Sequence, residues 1–147
     1  MRKLSGLLVF FFAILTFNQH ILFAKVSQVS KTSEQNLSSY IGKYPSDLLR
    51  TNPRLKARLR ALLGANYSAF TQRLQVEAPI EGDQNALVLH GCMAHSCGDE
   101  EALLVITLPD NKLHSAILSQ KFGGNYKIFS EDKSHIPSAL QRAMNKK

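Results

Sequence analysis

The sequence predicts an α+β domain: a central antiparallel sheet of about five strands, short flanking helices and a protruding loop closed by a disulfide. Three observations carry this. Leu55, Leu59, Leu62 and Leu63 recur at helical spacing between Asn52-Pro53 and Gly64. Further on the pattern changes, and short apolar runs such as Ala86-Leu87-Val88-Leu89 and Leu103-Leu104-Val105-Ile106 are separated by turn-forming residues, as in strands. Helices grouped first and strands after them are the order of an α+β domain. The chain's two cysteines both fall in Gly91-Cys92-Met93-Ala94-His95-Ser96-Cys97-Gly98, between those two apolar runs.

Taken from its start, the chain opens on Met1-Arg2-Lys3, continues with apolar residues from Leu7 to Leu15, is interrupted by Asn18, Gln19 and His20, and reaches Leu22-Phe23-Ala24. A basic start, a short apolar stretch and a small residue at the cut describe a secretory signal peptide over residues 1–24. The apolar run is well short of the ~20 residues a spanning helix needs, so no membrane insertion is expected after cleavage. No cysteine lies near the cut, which argues against a lipoprotein. Residues 25–39 are rich in Ser, Gln, Lys and Thr without periodicity, and read as a flexible N-terminal segment. Residues 40–147 suit one compact domain, and no internal repeat is visible. The formal net charge of +7 falls to +5 once Arg2 and Lys3 leave with the signal.

Tyr40, Ile41 and Tyr44 lead into the helical part. Pro45-Ser46-Asp47 starts a short turn through Leu48 and Leu49; Asn52 is expected as N-cap, with Pro53 at the first helical position. Gly64 stops that helix, and a further turn covers residues 67–74. No acidic residue stands between Asp47 and Glu77, a window that holds Arg50, Arg54, Lys56, Arg58, Arg60 and Arg73. Such a run is most simply a solvated helix face. The alternative is an anionic glycan-binding surface on the basic helix 50–60, for lipopolysaccharide for example. Export and the lack of interleaved stacking aromatics argue against nucleic acid.

Strands are expected at 75–78, 86–92, 101–108, 113–120 and 126–130, with residues 79–85 turn-like and turns at Pro109-Asp110-Asn111 and Gly123-Gly124-Asn125. The strand at 101–108 is apolar on both faces, so it should be central and covered on both sides. A last helix starts near Pro137 and puts Ile136, Leu140 and Met144 on one side.

Chemistry concentrates in the loop. Facing residues of an antiparallel pair lie ~4.5–5.5 Å apart, within the ~4.4–6.8 Å that a disulfide spans, so Cys92 ending one strand and Cys97 starting the next can close a ring with His95 near its tip. Export favours that bond, since thiols in an oxidising compartment normally pair. The alternative is a metal or redox protein using Cys92, Cys97 and His95, with His90 as a further zinc ligand. Export and the lack of more cysteines count against zinc; four residues between the cysteines instead of two count against a redox pair. No phosphate loop, metalloprotease helix or nucleophile elbow occurs, so an enzyme and a resident cofactor or metal are not expected. Glu100 and Glu101 are adjacent on one strand and point to opposite faces. His90, His114 and His135 read as surface or satisfied core histidines. A six-residue ring adds little stability, because the gain grows with loop length; rigidity explains it better, since a clamped loop loses less entropy on binding. An incidental histidine in a closed hairpin remains the plain alternative.

Gly91-Cys92-x-x-His95-x-Cys97-Gly98 between an apolar strand and Leu103-Leu104-Val105-Ile106 resembles the inhibitor of vertebrate lysozyme (Ivy) family, from about residue 40 to residue 128. The resemblance implies a periplasmic, Gram-negative protein with a central antiparallel sheet, not an enzyme. It implies that the loop enters the catalytic cleft of a c-type lysozyme, protecting peptidoglycan and evading host defence. His95 is then the key inhibitory residue, engaging the catalytic carboxylates; Cys92, Met93, Ala94, His95, Ser96 and Cys97 form the inhibitory loop, with Cys92 and Cys97 bridged. Gly91, Gly98, Asp99 and Glu100 flank it, and Asp99, Glu100 and Glu101 are expected to make the binding edge negative. The best-known form of the loop reads Cys-Lys-Pro-His-Asp-Cys; Met93, Ala94 and Ser96 depart from it. Self-association into a homodimer is compatible with this reading.

Overall fold

The structure, a computed structural model, describes residues 36–108 and 110–146. The expected signal peptide and most of the segment 25–39 lie outside the described residues. The end of that segment is part of a 3-10 turn, Leu37–Tyr40, whose Leu37 and Tyr40 pack on the core.

Three helices follow: α1 (Pro45–Thr51), α2 (Pro53–Leu63) and α3 (Tyr67–Gln72). Asn52 holds the N-cap position of α2 with Pro53 first in the helix, as expected, and its carbonyl accepts the Lys56 N–H at 3.0 Å, but its side chain is used elsewhere. Its amide does not cap α2; Nδ2 and the backbone N–H both donate to the Leu48 carbonyl at 3.0 Å. Leu48 and Asn52 are buried, and the orphan carbonyl at the end of α1 needs a partner more than the solvated start of α2 does. Gly64 ends α2 as expected and leads through a 3-10 turn into α3.

The sheet is antiparallel. Its strands are β1 (Val76–Glu77), β2 (Glu81–Gly82), β3 (Ala86–Cys92), β4 (Glu101–Thr107), β5 (Leu113–Ser119) and β6 (Asn125–Ser130), and α4 (Ser138–Asn145) closes the chain. The order is β1-β3-β4-β5-β6, and β2 also pairs with β3. Residues 79–85, expected as turn alone, thus contain a short strand. The cause is Asp83: its carboxylate accepts the N–H groups of Asn85 and Ala86, and its own N–H donates to the Ala86 carbonyl at 3.0 Å, a tight turn that lays Glu81 against Val88.

Alternation on the strands divides the core in two. Ala102, Leu104 and Ile106 on β4 meet Leu48, Leu59, Leu63 and Phe70 from α1–α3. Leu103 and Val105, on the other face, meet Ala139 and Leu140 of α4, with Ile136 and Met144 packed against them. β4 is the central strand, as its two-sided apolar pattern requires. The domain is therefore three layers, and the β3–β4 turn leaves one end of the sheet between them. Among the described residues no helix is long and apolar enough to cross a membrane.

Candidate functional site

Strand register puts Cys92 opposite Glu101, and the ladder continues one step, with the Met93 N–H donating to the Glu100 carbonyl at 2.9 Å. Beyond that step the chain makes two turns that share Ser96. The Ser96 N–H donates to Met93 at 3.1 Å, and the Ser96 carbonyl accepts Asp99 at 3.1 Å and Glu100 at 2.9 Å. His95 (φ 64°) and Gly98 (φ 98°) hold the third positions of the two turns. A positive φ there, with an ordinary second residue, is the type II pattern. Cys92 and Cys97 are joined by a disulfide, their Cα atoms 5.1 Å apart. Cys97 does not start the next strand, as the spacing alone suggests; the second turn, reversed at Gly98, delays β4 to Glu101.

His95 is exposed and is one of two non-glycine residues with positive φ among the described residues. A left-handed residue with a Cβ costs about 1–2 kcal/mol, so the ring and its two turns hold a conformation the chain would not keep by itself. Among the described residues no group hydrogen-bonds the imidazole. Its backbone is held by the turn and the ring, and its imidazole faces solvent with two ring nitrogens available to a partner.

The support comes from outside the loop. Gly91 is pressed on residues 73 and 74: a Cβ there would stand 2.6 Å from the Arg73 carbonyl oxygen and 2.8 Å from Leu74 Cδ2. That close approach brings Gln75 to the loop, where its Oε1 accepts the Ala94 N–H at 3.2 Å. Arg73 is buried, 3% exposed. Its guanidinium donates to the Leu118 carbonyl at 3.0 Å, to the Ala69 carbonyl at 2.6 Å, and to Glu100. Glu100 also accepts the Ser119 hydroxyl at 3.2 Å and the Gln120 N–H at 3.0 Å. Burial alone would raise the Glu100 carboxyl, but the Gln120 N–H, the Ser119 hydroxyl and Arg73 together hold it below the usual carboxylate range. Glu101 faces the other way: it accepts the Gly98 N–H at 3.0 Å and the Tyr126 hydroxyl at 2.7 Å. Burial and that carboxylate hold the Tyr126 phenol above its ordinary range.

Two sequence expectations change here. Arg73 is no part of a solvated basic face, because its segment lies under the sheet end instead of on a helix surface. The binding edge is less negative than three adjacent acids suggest: Glu100 is neutralised by Arg73, Glu101 is bonded by Gly98 and Tyr126, and Asp99 is left exposed beside Gln120. Gln75, Ser119 and Tyr126 carry no motif and sequence reasoning passes over them, while Arg73 is legible only as one member of a basic run.

The alternative sites fare as follows. Both cysteine sulfurs are in the disulfide, so neither is a thiolate ligand or a free redox thiol. Arg50 pairs with Asp47 at 2.6 Å, Arg58 with Glu131 at 2.5 Å, and Arg60 stacks 4.8 Å from the Tyr67 ring centre, so the basic helix spends much of its charge within the chain. His114 is buried and bonded to the Ser130 hydroxyl at 2.8 Å, and His135 is exposed, both as expected. His90 is not satisfied: its Nε2 is enclosed without a hydrogen-bond partner, 3.6 Å from the Glu101 carboxylate. It borders a groove of about 820 Å³ between α4 and the β2–β3 edge. Lys146 and Glu81, which line that groove, are bonded to each other at 2.9 Å.

The disulfide should matter to presentation more than to folding. Cys92→Ser with Cys97→Ser is expected to keep the cooperative unfolding transition, since a ring this short contributes little loop-closure entropy. Amide exchange within the loop should accelerate, because its preorganisation is lost. Global unfolding of the double variant by circular dichroism would show the bridge to be structural instead.

No solved structure matches the chain. It is 29% identical over 86 residues to the uncharacterized protein y4bG of Sinorhizobium fredii (strain NBRC 101917 / NGR234), covering 58% of this chain and 31% of that protein. The chain thus spans about a third of the length of that curated relative. The family described as "Inhibitor of vertebrate lysozyme (Ivy)" matches over residues 54–147, which takes in α2 from its second residue, α3, the whole sheet, the disulfide loop and α4. This chain belongs to the inhibitor of vertebrate lysozyme (Ivy) family.

Proposed function

We propose that this chain is an exported, periplasmic protein inhibitor of c-type lysozyme, which blocks the enzyme by placing the Cys92–Cys97 loop in its catalytic cleft. The observation that carries the reading is His95: exposed, unengaged, and held in a left-handed turn inside a disulfide ring at the end of a three-layer domain. Family membership supports the target class. Retaining glycosidases work with two carboxylates ~5–5.5 Å apart, and lysozyme keeps one as a proton-bearing acid and the other ionised. An imidazole set between them can bond both, exclude substrate and hold the acid in the wrong state; as imidazolium its bonds are charge-assisted. Peptidoglycan in the bacterial envelope would be protected from host lysozyme.

The test uses the protein secreted from cells, so that processing is checked with activity. Intact mass should place the mature N-terminus at or near Lys25. The purified protein should then slow peptidoglycan lysis by a chicken-type lysozyme in proportion to its concentration. Retention of Met1 in exported material would overturn the localisation. Undiminished lysis at a large molar excess of the protein would overturn the activity.

A further inference from the structure

We propose that Gln75 and Arg73, on the segment leaving α3, are positioning residues that hold the inhibitory loop in its presenting conformation. This rests on the inhibitory reading above. The loop's own sequence is poor in rigidity. Its first turn, Met93–Ser96, has the type II pattern, whose second position commonly takes proline, and Ala94 stands there. Alanine keeps an N–H that proline lacks. That N–H is the one Gln75 Oε1 accepts, at 3.2 Å. The side chain from outside the loop therefore fixes the turn that a proline ring would fix from within.

Arg73 anchors the other limb. The loop closes where the Met93 N–H meets the Glu100 carbonyl, so the position of residue 100 sets the loop's exit. Glu100 is held by Arg73, and Arg73 is held in turn by the carbonyls of Ala69 within α3 and Leu118 on β5. A buried guanidinium with those two carbonyl anchors is a fixed reference, and the loop hangs from it. Gly91 is what lets the 73–75 segment come close enough, since any Cβ there would collide with Arg73 and Leu74. Two side chains of one segment, two residues apart, thus clamp the entry and exit limbs of the same loop. The complex gains because less loop entropy is lost when the loop docks.

The experiment compares wild type with Gln75→Ala and Arg73→Lys by two readouts: the dissociation constant for chicken-type lysozyme, and amide hydrogen exchange of residues 93–100 in the free protein. Gln75 is exposed, so its alanine variant should fold normally. One neutral hydrogen bond corresponds to a weakening of about two- to tenfold. Exchange at residues 93–100 should accelerate while Leu104 to Ile106 stay protected. Arg73→Lys keeps the charge but loses the planar fork, and should weaken binding further and loosen the exit limb. Ala94→Pro in the Gln75→Ala background should restore both slow loop exchange and affinity.

Unchanged exchange and affinity in Gln75→Ala would overturn the proposal for Gln75, as would failure of Ala94→Pro to restore them. Exchange that rises uniformly across the sheet in Arg73→Lys would make Arg73 a fold residue and not a positioning one. The two readings separate cleanly. Wild type that does not bind lysozyme at all defeats the inhibitory reading, while the exchange data still decide the clamp. Wild type that inhibits while both variants match it defeats the clamp alone.

Discussion

His95→Ala is expected to raise the dissociation constant for lysozyme at least tenfold and to abolish most inhibition at equimolar protein. In the proposed complex the substitution would remove both imidazole bonds and leave two enzyme carboxylates desolvated without partners. Truncating one side of such a buried charged contact costs ~2–5 kcal/mol, and ~1.4 kcal/mol already makes ten-fold. Alanine also tolerates the left-handed turn at residue 95 less well than histidine does, so part of the loss could come from the backbone. His95→Asn separates the two. Asparagine is at home at positive φ and keeps a short polar group, but it cannot span two carboxylates as an imidazole does. Loss in both variants, with slow loop exchange preserved in His95→Asn, assigns the effect to the imidazole. An asparagine or alanine variant that inhibits as well as wild type, measured by calorimetry and lysis, would remove His95 from the mechanism and leave the loop as scaffold.

Much of this was legible before any coordinates. Patterns repeated over several residues carry their own structural meaning: the leucines of α2 repeat at one helical face, and the unbroken run Leu103-Leu104-Val105-Ile106 has no polar side to expose, so it has to lie at the centre of the sheet. The cysteine pair was legible because the choice was small, two sulfurs on either side of one turn. What the sequence hid are contacts made by single residues across long separations. Arg73 looks like its neighbours Arg54 and Arg58, and only the fold puts its guanidinium beside Glu100 and the Leu118 carbonyl. Gln75 is an ordinary exposed polar residue until Gly91 lets its segment reach the loop. The sequence places Asn52 at the N-cap of α2 but not its side chain: between two helices that amide can serve either, and burial at the Leu48 carbonyl decides it. The first turn inside the loop is hidden in the sequence because type II geometry usually announces itself with glycine at the third position, and His95 stands there.

The largest stability effect is expected at the ion pair beneath the loop. Arg73→Ala should lower the unfolding free energy by about 3–5 kcal/mol, because it leaves a partly buried carboxylate without its counter-charge. The side chains are 4% and 15% exposed, so water can do little to replace the lost partner. Against a total stability of about 5–15 kcal/mol for a domain of this kind, that is a large fraction. The carboxylate is the cause, which gives the prediction its control: Arg73→Met combined with Glu100→Gln removes both charges and should recover much of the loss. The pH dependence has a fixed sign. The folded Glu100 carboxyl lies below its ordinary value, so its contribution is fully present above the ordinary glutamate range, about pH 4–5, and is lost as pH falls through the lower folded value. Wild type should therefore lose stability on acidification below about pH 4–5, and Glu100→Gln should reduce that slope. Urea unfolding at neutral and acidic pH measures all four proteins. Equal midpoints for wild type and Arg73→Ala at neutral pH would show that the pair contributes no net stability. The three-way contact of Arg73 with Ala69, Leu118 and Glu100 would then be geometry without energetic weight.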